Sequence, residues 1–182
     1  MDLVEKVLEL HEALDAADVR HAFGGALALA YCTLDPRGTS DIDCNVFVPA
    51  AAPDRVLEAL PTGIEHTDDT TTTVARDGQV RLWWDGTPLD LFFDYAPIHA
   101  SAARRSRLVP FAGVELPVLG CTDLVVFKAL FDRTKDWADI EAVVAAGTLD
   151  QVEARATLVA LLGDADHRVE RFDRVTGARP PA

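Results

Sequence analysis

The stretch Asp41-Ile42-Asp43-Cys44-Asn45-Val46-Phe47-Val48 alternates without a break, and alternation of that length describes a β-strand. Ile42, Cys44, Val46 and Val48 fall on one face, and Asp41, Asp43, Asn45 and Phe47 on the other. The chain must therefore build a sheet with an apolar side and a side that carries two aspartates at i and i+2, roughly 6–7 Å apart. Like charges that close on a sheet face repel one another unless a cation neutralises them. The alternative for such a pair is ordinary solvated surface.

The other elements arrange themselves around that strand. Leu3, Val7, Leu10 and Leu14 recur at helical spacing, so residues 2–18 read as an amphipathic first helix. Val19 to Phe23 is a short strand ending at Gly24-Gly25, and Ala26 to Tyr31 holds small, helix-favouring residues. Pro36-Arg37-Gly38 marks a loop, and Pro53 opens a helix through Leu60. Thr70 to Ala75 and Val80 to Trp84 predict a hairpin around Arg76-Asp77-Gly78, with Thr70-Thr71-Thr72-Thr73 as a β-prone run. Asp85-Gly86 turns into a further strand, Leu89 to Phe93. A short helix over 97–103 precedes a small hairpin, Leu108 to Phe111 and Val114 to Val118, turning at Gly113. From Thr122, read as an N-cap, helices are predicted over 122–132, 136–146 and 151–162, with a weaker one to 175 and Gly147 as a stop. The tail Gly177 to Ala182 is expected to fray. The fold class is α+β: a mixed twisted sheet flanked by helices over residues 1–118, and a C-terminal helical segment, 119–182, packed on it.

Composition narrows the function classes. No apolar run approaches the roughly 18 residues that cross a bilayer, and Met1-Asp2-Leu3-Val4-Glu5 lacks the basic and apolar regions of a signal peptide. No membrane partner is expected. Cys32, Cys44 and Cys121 are widely spaced and odd in number, which predicts a reducing, cytoplasmic setting with neither a disulfide frame nor a zinc site. The histidines are scattered, with surface positions expected for His66 and His99, so any metal chemistry must be carboxylate chemistry. A net charge of −13 repels nucleic acid at long range and attracts cations. Two basic knots, Arg104-Arg105 with Arg107 and Lys128 with Arg133 and Lys135, are local exceptions able to grip phosphates.

Three features fall in an informative order: Gly24-Gly25 after a strand, Asp41 and Asp43 on the next, and Asp90 on a later one. A glycine pair at a strand-to-helix junction lets backbone approach a phosphate, where the helix N-terminus offers free N–H donors. The spacing of Asp41 and Asp43 suits two Mg²⁺ ions, one on nucleotide phosphates and one on an attacking oxygen. Asp90 completes the second metal site or takes the nucleophile's proton, with Asp94 on the same face as the fallback. Each feature alone is commonplace; their combination is not.

The run Phe23-Gly24-Gly25-Ala26, Thr39-Ser40-Asp41-Ile42-Asp43 and Leu89-Asp90-Leu91 resembles the DNA polymerase β-type nucleotidyltransferases. A second stretch, Asp123 to Leu130 followed by Arg133-Thr134-Lys135-Asp136-Trp137-Ala138-Asp139-Ile140, looks like the helical signature of AbiE-type toxins and their mycobacterial Men relatives. Together the matches span roughly residues 20–145. The resemblance implies the nucleotidyltransferase fold and an Mg²⁺-dependent enzyme that moves a nucleotidyl group from an NTP. It also implies tRNA as acceptor and a cognate antitoxin as partner.

Lys128, Asp132, Lys135, Asp136 and Asp139 fall close to one helical stripe. Lys128 can meet a triphosphate as a point charge, and Asp139 can orient it; the alternative is a solvated helix face with ion pairs such as Lys135 with Asp139. Arg37, Thr39 and Ser40 are candidates for binding phosphate from the loop before Asp41. Thr39 and Ser40 are also hydroxyls where a phosphoryl group would repel an NTP. The alternatives are a turn and a strand cap. Arg104, Arg105 and Arg107 can anchor an RNA backbone or simply be solvated, and at most one of Trp83 and Trp84 can be a stacking platform. Two further readings stay open: an aminoglycoside nucleotidyltransferase, which the −13 charge suits, and an inert fold used only for binding.

Overall fold

The computed structural model describes residues 1–178. The expected fraying of Gly177 to Ala182 therefore falls largely outside the described residues. The chain divides into two units, one of Met1–Ala26 with Gly38–Leu119 and one of Leu27–Arg37 with Gly120–Ala182.

The first unit is built on a six-stranded sheet of β1 (His21–Phe23), β2 (Ile42–Pro49), β3 (Gln79–Trp84), β4 (Thr87–Asp94), β5 (Arg107–Phe111) and β6 (Val114–Val118), in the spatial order β3-β4-β2-β1-β6-β5. β2 runs parallel to β4 and β1 parallel to β6, while the remaining neighbours are antiparallel. β2 thus lies centrally: Ile42, Cys44 and Val46 of its apolar face are buried, and so is Asn45 of the opposite face. Leu89, Leu91 and Phe93 of β4 extend that apolar face. Helix α1 (Leu3–Ala16) buries Val7, Leu10 and Leu14, as its spacing requires, and starts with a capping box between Asp2 and Glu5. The buried Lys6 ammonium donates to the Trp84 carbonyl at 2.6 Å and to Thr87 Oγ1 at 2.9 Å, tying the helix to the β3–β4 hairpin. Short helices α3 (Asp54–Ala59) and α5 (Pro97–Arg105) complete the elements foreseen here.

One element was misread. Thr70 to Ala75 is not a strand but part of α4 (Asp68–Asp77). Threonine favours strands only modestly, and local helix signals outweigh it. Thr67 and Thr70 form a capping box, Asp68 and Asp69 sit where the helix dipole favours anions, and Gly78 ends the helix in the left-handed conformation. Strand β3 therefore follows a helix and pairs only with β4 among the named strands.

The second unit contains α6 (Cys121–Phe131), α7 (Thr134–Ala146), α8 (Gln151–Leu162) and α9 (His167–Thr176), together with most of α2 (Gly25–Thr33). Trp137, Ile140, Leu158 and Phe172 are buried. Gly147 stops α7 as predicted, but Gly120 rather than Thr122 caps α6. The predicted single stripe from Lys128 to Asp139 is interrupted: Asp132 adopts φ 56° and ends α6, and α7 starts afresh two residues later. The expectation of no disulfide is overturned. Cys32 and Cys121 form a disulfide across 89 residues, their Cα atoms 5.5 Å apart, and Cys44 alone is free and buried. Wide spacing in sequence said nothing about distance, because α2 and α6 are brought together only by folding. Among the described residues no helix is long and apolar enough to cross a membrane.

Candidate active site

The glycine pair meets the aspartates through backbone first. Gly24 N–H donates to the Asp43 carbonyl at 2.9 Å, extending the β1–β2 ladder to the point where α2 begins. Gly25 then turns with φ 48°, a left-handed conformation that side chains rarely accept. A Cβ at Gly25 would overlap the Asp43 carboxylate, lying 2.5 Å from its Cγ and 2.9 Å from its Cβ. Glycine at this position is what lets the Asp43 carboxylate rest against the first residue of α2, where the positive end of the helix dipole favours an anion.

Asp43 has a partner across the sheet. It is the register neighbour of Asp90 on the parallel strand β4, and Asp90 is in turn the register neighbour of Arg81 on β3. Arg81 clasps Asp90 in a two-pronged pair, Nε to Oδ1 at 2.7 Å and Nη2 to Oδ2 at 2.6 Å. The guanidinium is held above its ordinary pKa, first by these hydrogen bonds and the Asp90 charge, with further contributions from Asp41 and Asp43. Arg81 is therefore the counter-ion of this carboxylate group. Asp94 lies four residues on, about 13 Å along the strand, opposite Pro49 and past a break in register. Only Asp90 of the two faces Asp43.

Asp41 precedes β2 and accepts a hydrogen bond from the Thr39 hydroxyl, which is half-buried; Ser40 between them is exposed. Asp41, Asp43 and Asp90 are hard oxygen donors of the kind Mg²⁺ takes. Among the described residues no three carboxylate, histidine or cysteine side chains stand close enough together to hold a metal. Both oxygens of Asp90 are turned to Arg81.

The second unit gathers three other candidates. Asp139 accepts hydrogen bonds from Arg37 and, at 2.7 Å, from Lys128 Nζ. Lys128 also lies 3.7 Å from the fully buried Asp136, which Arg133 grips at 2.6 Å. Burial pushes the Asp139 carboxyl up, but the hydrogen bonds and charges of Lys128 and Arg37 outweigh it and hold its pKa below the ordinary value. Asp139 thus pairs with Lys128 and Arg37, not with Lys135 as the solvated-stripe alternative had it. Asp132, at the break between the helices, accepts from Trp137 Nε1 at 2.7 Å and sits 2.8 Å from His167 Nε2.

Other candidates divide. Trp83 is 58% exposed and Trp84 is fully buried. His66 is exposed as expected, whereas His99 is buried, with Nδ1 3.2 Å from the Ala96 carbonyl and its ring 4.8 Å from Tyr95. Arg104 and Arg107 are exposed. The residue that sequence reasoning missed is Arg81. Its signal was available: in a two-residue hairpin at Asp85-Gly86, the fourth residue before the turn faces the fourth after it, and these are Arg81 and Asp90.

No protein-family model and no curated protein matches the sequence. Solved structures do. The antibiotic-resistance factor ANT(2'')-Ia in solution is 15% identical, covers 96% of this chain and 89% of its own, and superposes with a TM-score of 0.53. A crystal structure of ANT(2'')-Ia in complex with adenylyl-2''-tobramycin is 16% identical, with coverage of 94% and 96% and a TM-score of 0.56. The chain has the nucleotidyltransferase fold. An antigenic nucleotidyltransferase-like protein from Paracoccidioides brasiliensis is also similar, at 18% identity, 92% coverage of each chain and a TM-score of 0.47.

Proposed function

We propose that the protein is an Mg²⁺-dependent nucleotidyltransferase. The observation that carries this reading is the Asp43–Asp90 register, with Gly25 shaped to admit the Asp43 carboxylate and Asp41 two residues away. Asp41, Asp43 and Asp90 are the residues that would hold the cations. Mg²⁺ supplies charge neutralisation on the triphosphate and on the attacking oxygen. The N–H groups at the start of α2 bind phosphate oxygens. An acceptor hydroxyl forms a bond to the α-phosphorus of the NTP as the bond to the bridging oxygen breaks and pyrophosphate leaves, and Asp90 accepts the hydroxyl proton. Thr39 orients Asp41 through its hydroxyl hydrogen bond. In the second unit, Lys128 and Arg37, both held by Asp139, are assigned to a phosphate-bearing ligand.

For the acceptor, the resemblance of the Lys128 to Asp139 segment to AbiE-type toxins supports RNA, tRNA in particular, with the activity restrained by an antitoxin protein. A second reading is supported by the charge of −13, which attracts polycations, and by the adenylylated tobramycin carried by a structural neighbour. It makes an aminoglycoside the acceptor. Purified protein, Mg²⁺ and α-labelled NTPs, incubated with total tRNA or with aminoglycosides, separate the two by where the label goes. Label transfer that persists in Asp41→Ala, or none from wild type to either acceptor, refutes the assignment.

A further inference from the structure

Arg81 is not needed to explain nucleotidyl transfer, yet it closes the outer end of the line that runs from Asp43 through Asp90. It stands on the same sheet line as Asp90 and Asp43, two of its three guanidinium nitrogens donate to Asp90, and Asp41 and Asp43 add to the field that holds it. A guanidinium supplies one positive charge and a flat fork of donors, enough to neutralise a carboxylate in the absence of a metal. Asp43 and Asp90, register neighbours on adjacent strands, otherwise repel each other. The same fork occupies a lone pair on each Asp90 oxygen and sets a positive charge against an approaching cation.

We infer that Arg81 is a resident counter-ion that a divalent cation must displace from Asp90, so that it sets the metal affinity of the site. The inference rests on the nucleotidyl-transfer reading, because that reading supplies the cation. Displacement is possible because β3 is an edge strand and the Arg81 side chain is 53% exposed, free to swing without disturbing packing. It also has somewhere to go. Arg81 lines an open groove of about 350 Å³ with Gly63, Glu65, Leu82 and Trp83. There Glu65 offers another carboxylate, and the exposed Trp83 an aromatic face on which a guanidinium can lie. The exchange requires no bond making: one cation leaves Asp90 and another takes its place.

The test is Mn²⁺ binding, measured by electron paramagnetic resonance of the free ion and by thermal shift, in wild type, Arg81→Ala, Arg81→Lys and Asp90→Asn. An exposed two-pronged pair has to be discounted for solvent, so Arg81→Ala should tighten Mn²⁺ binding only roughly three- to tenfold. Its melting temperature should fall without metal and recover more than wild type does when Mn²⁺ is added. Arg81→Lys, which keeps the charge but not the fork, should lie between, and it carries the test if the alanine variant does not fold. In an Asp90→Asn background, Arg81→Ala should lose its effect on Mn²⁺ affinity, since the competition acts through Asp90. Equal or weaker Mn²⁺ binding by Arg81→Ala and Arg81→Lys overturns the counter-ion role and leaves the nucleotidyl-transfer reading standing. No Mn²⁺ binding by any of these proteins overturns both.

Discussion

Gly25→Ala is the sharpest perturbation of the proposed site. The substitution adds one carbon at a residue with φ 48°, and that carbon would lie 2.5 Å from Asp43 Cγ, where carbon atoms normally keep about 3.5 Å or more. The carboxylate must therefore retreat by about 1 Å. A left-handed alanine costs about 1–2 kcal/mol, partly offset by about 0.4–1 kcal/mol from the stiffer unfolded chain. The clash with Asp43 adds to this, so a net loss of about 1–2 kcal/mol is expected, or roughly 2–8 °C of melting temperature for a chain of this size. Function should suffer more than stability. Misplacing a reacting group by about 1 Å costs on the order of 100-fold in rate. Gly24→Ala is the control: its φ is not left-handed, and its nearest clash would be 3.0 Å from Asn45 Nδ2, the far end of a side chain. Differential scanning fluorimetry, Mn²⁺ binding and label transfer should all rank Gly25→Ala below Gly24→Ala. If the two variants match wild type equally in all three, the fit between Gly25 and Asp43 does not matter and the reasoning fails.

Three further outcomes follow from other parts of the molecule. Asp41→Ala should abolish label transfer while leaving the melting temperature without metal unchanged or raised, because it removes a like charge from the carboxylate face; a large drop in melting temperature would argue for a structural role instead. Asp139 is held below its ordinary pKa, so its contribution to stability is complete above the unfolded value of 3.8 and fades as the pH falls through the lower folded value. Urea unfolding at pH 7, 5 and 3 should accordingly show Asp139→Asn destabilised at the first two and converging on wild type at the last; a constant difference would contradict the ion-pair origin. The Cys32–Cys121 disulfide predicts a single reactive thiol, Cys44, in oxidised unfolded protein and three after reduction, with reduction lowering the melting temperature. Three thiols without reductant would show that the bond does not form.

Particular residues show how far the sequence could be read. Period-2 alternation placed Asp43 on the polar face of β2, since a strand leaves no other choice of side, whereas Asp41, expected as the strand's first residue, lies just before it. The two-residue turn at Asp85-Gly86 implies by itself that Arg81 faces Asp90. The threonine run folds as helix because the capping box and the glycine stop that flank it outweigh its strand propensity.

What the sequence determined by itself was local: periodicity, turns, glycine positions, and hence α+β elements with Asp43 on the polar face of a strand and Asp41 at its start. The tertiary structure decided what lies beside what. It set Asp90 rather than Asp94 opposite Asp43, closed a disulfide between cysteines 89 residues apart, and brought Lys128, Arg37 and Asp139 together within one unit. Local patterns follow from backbone geometry over a few residues. These neighbours depend on strand order and chain reversal, which only the collective burial of the apolar faces selects.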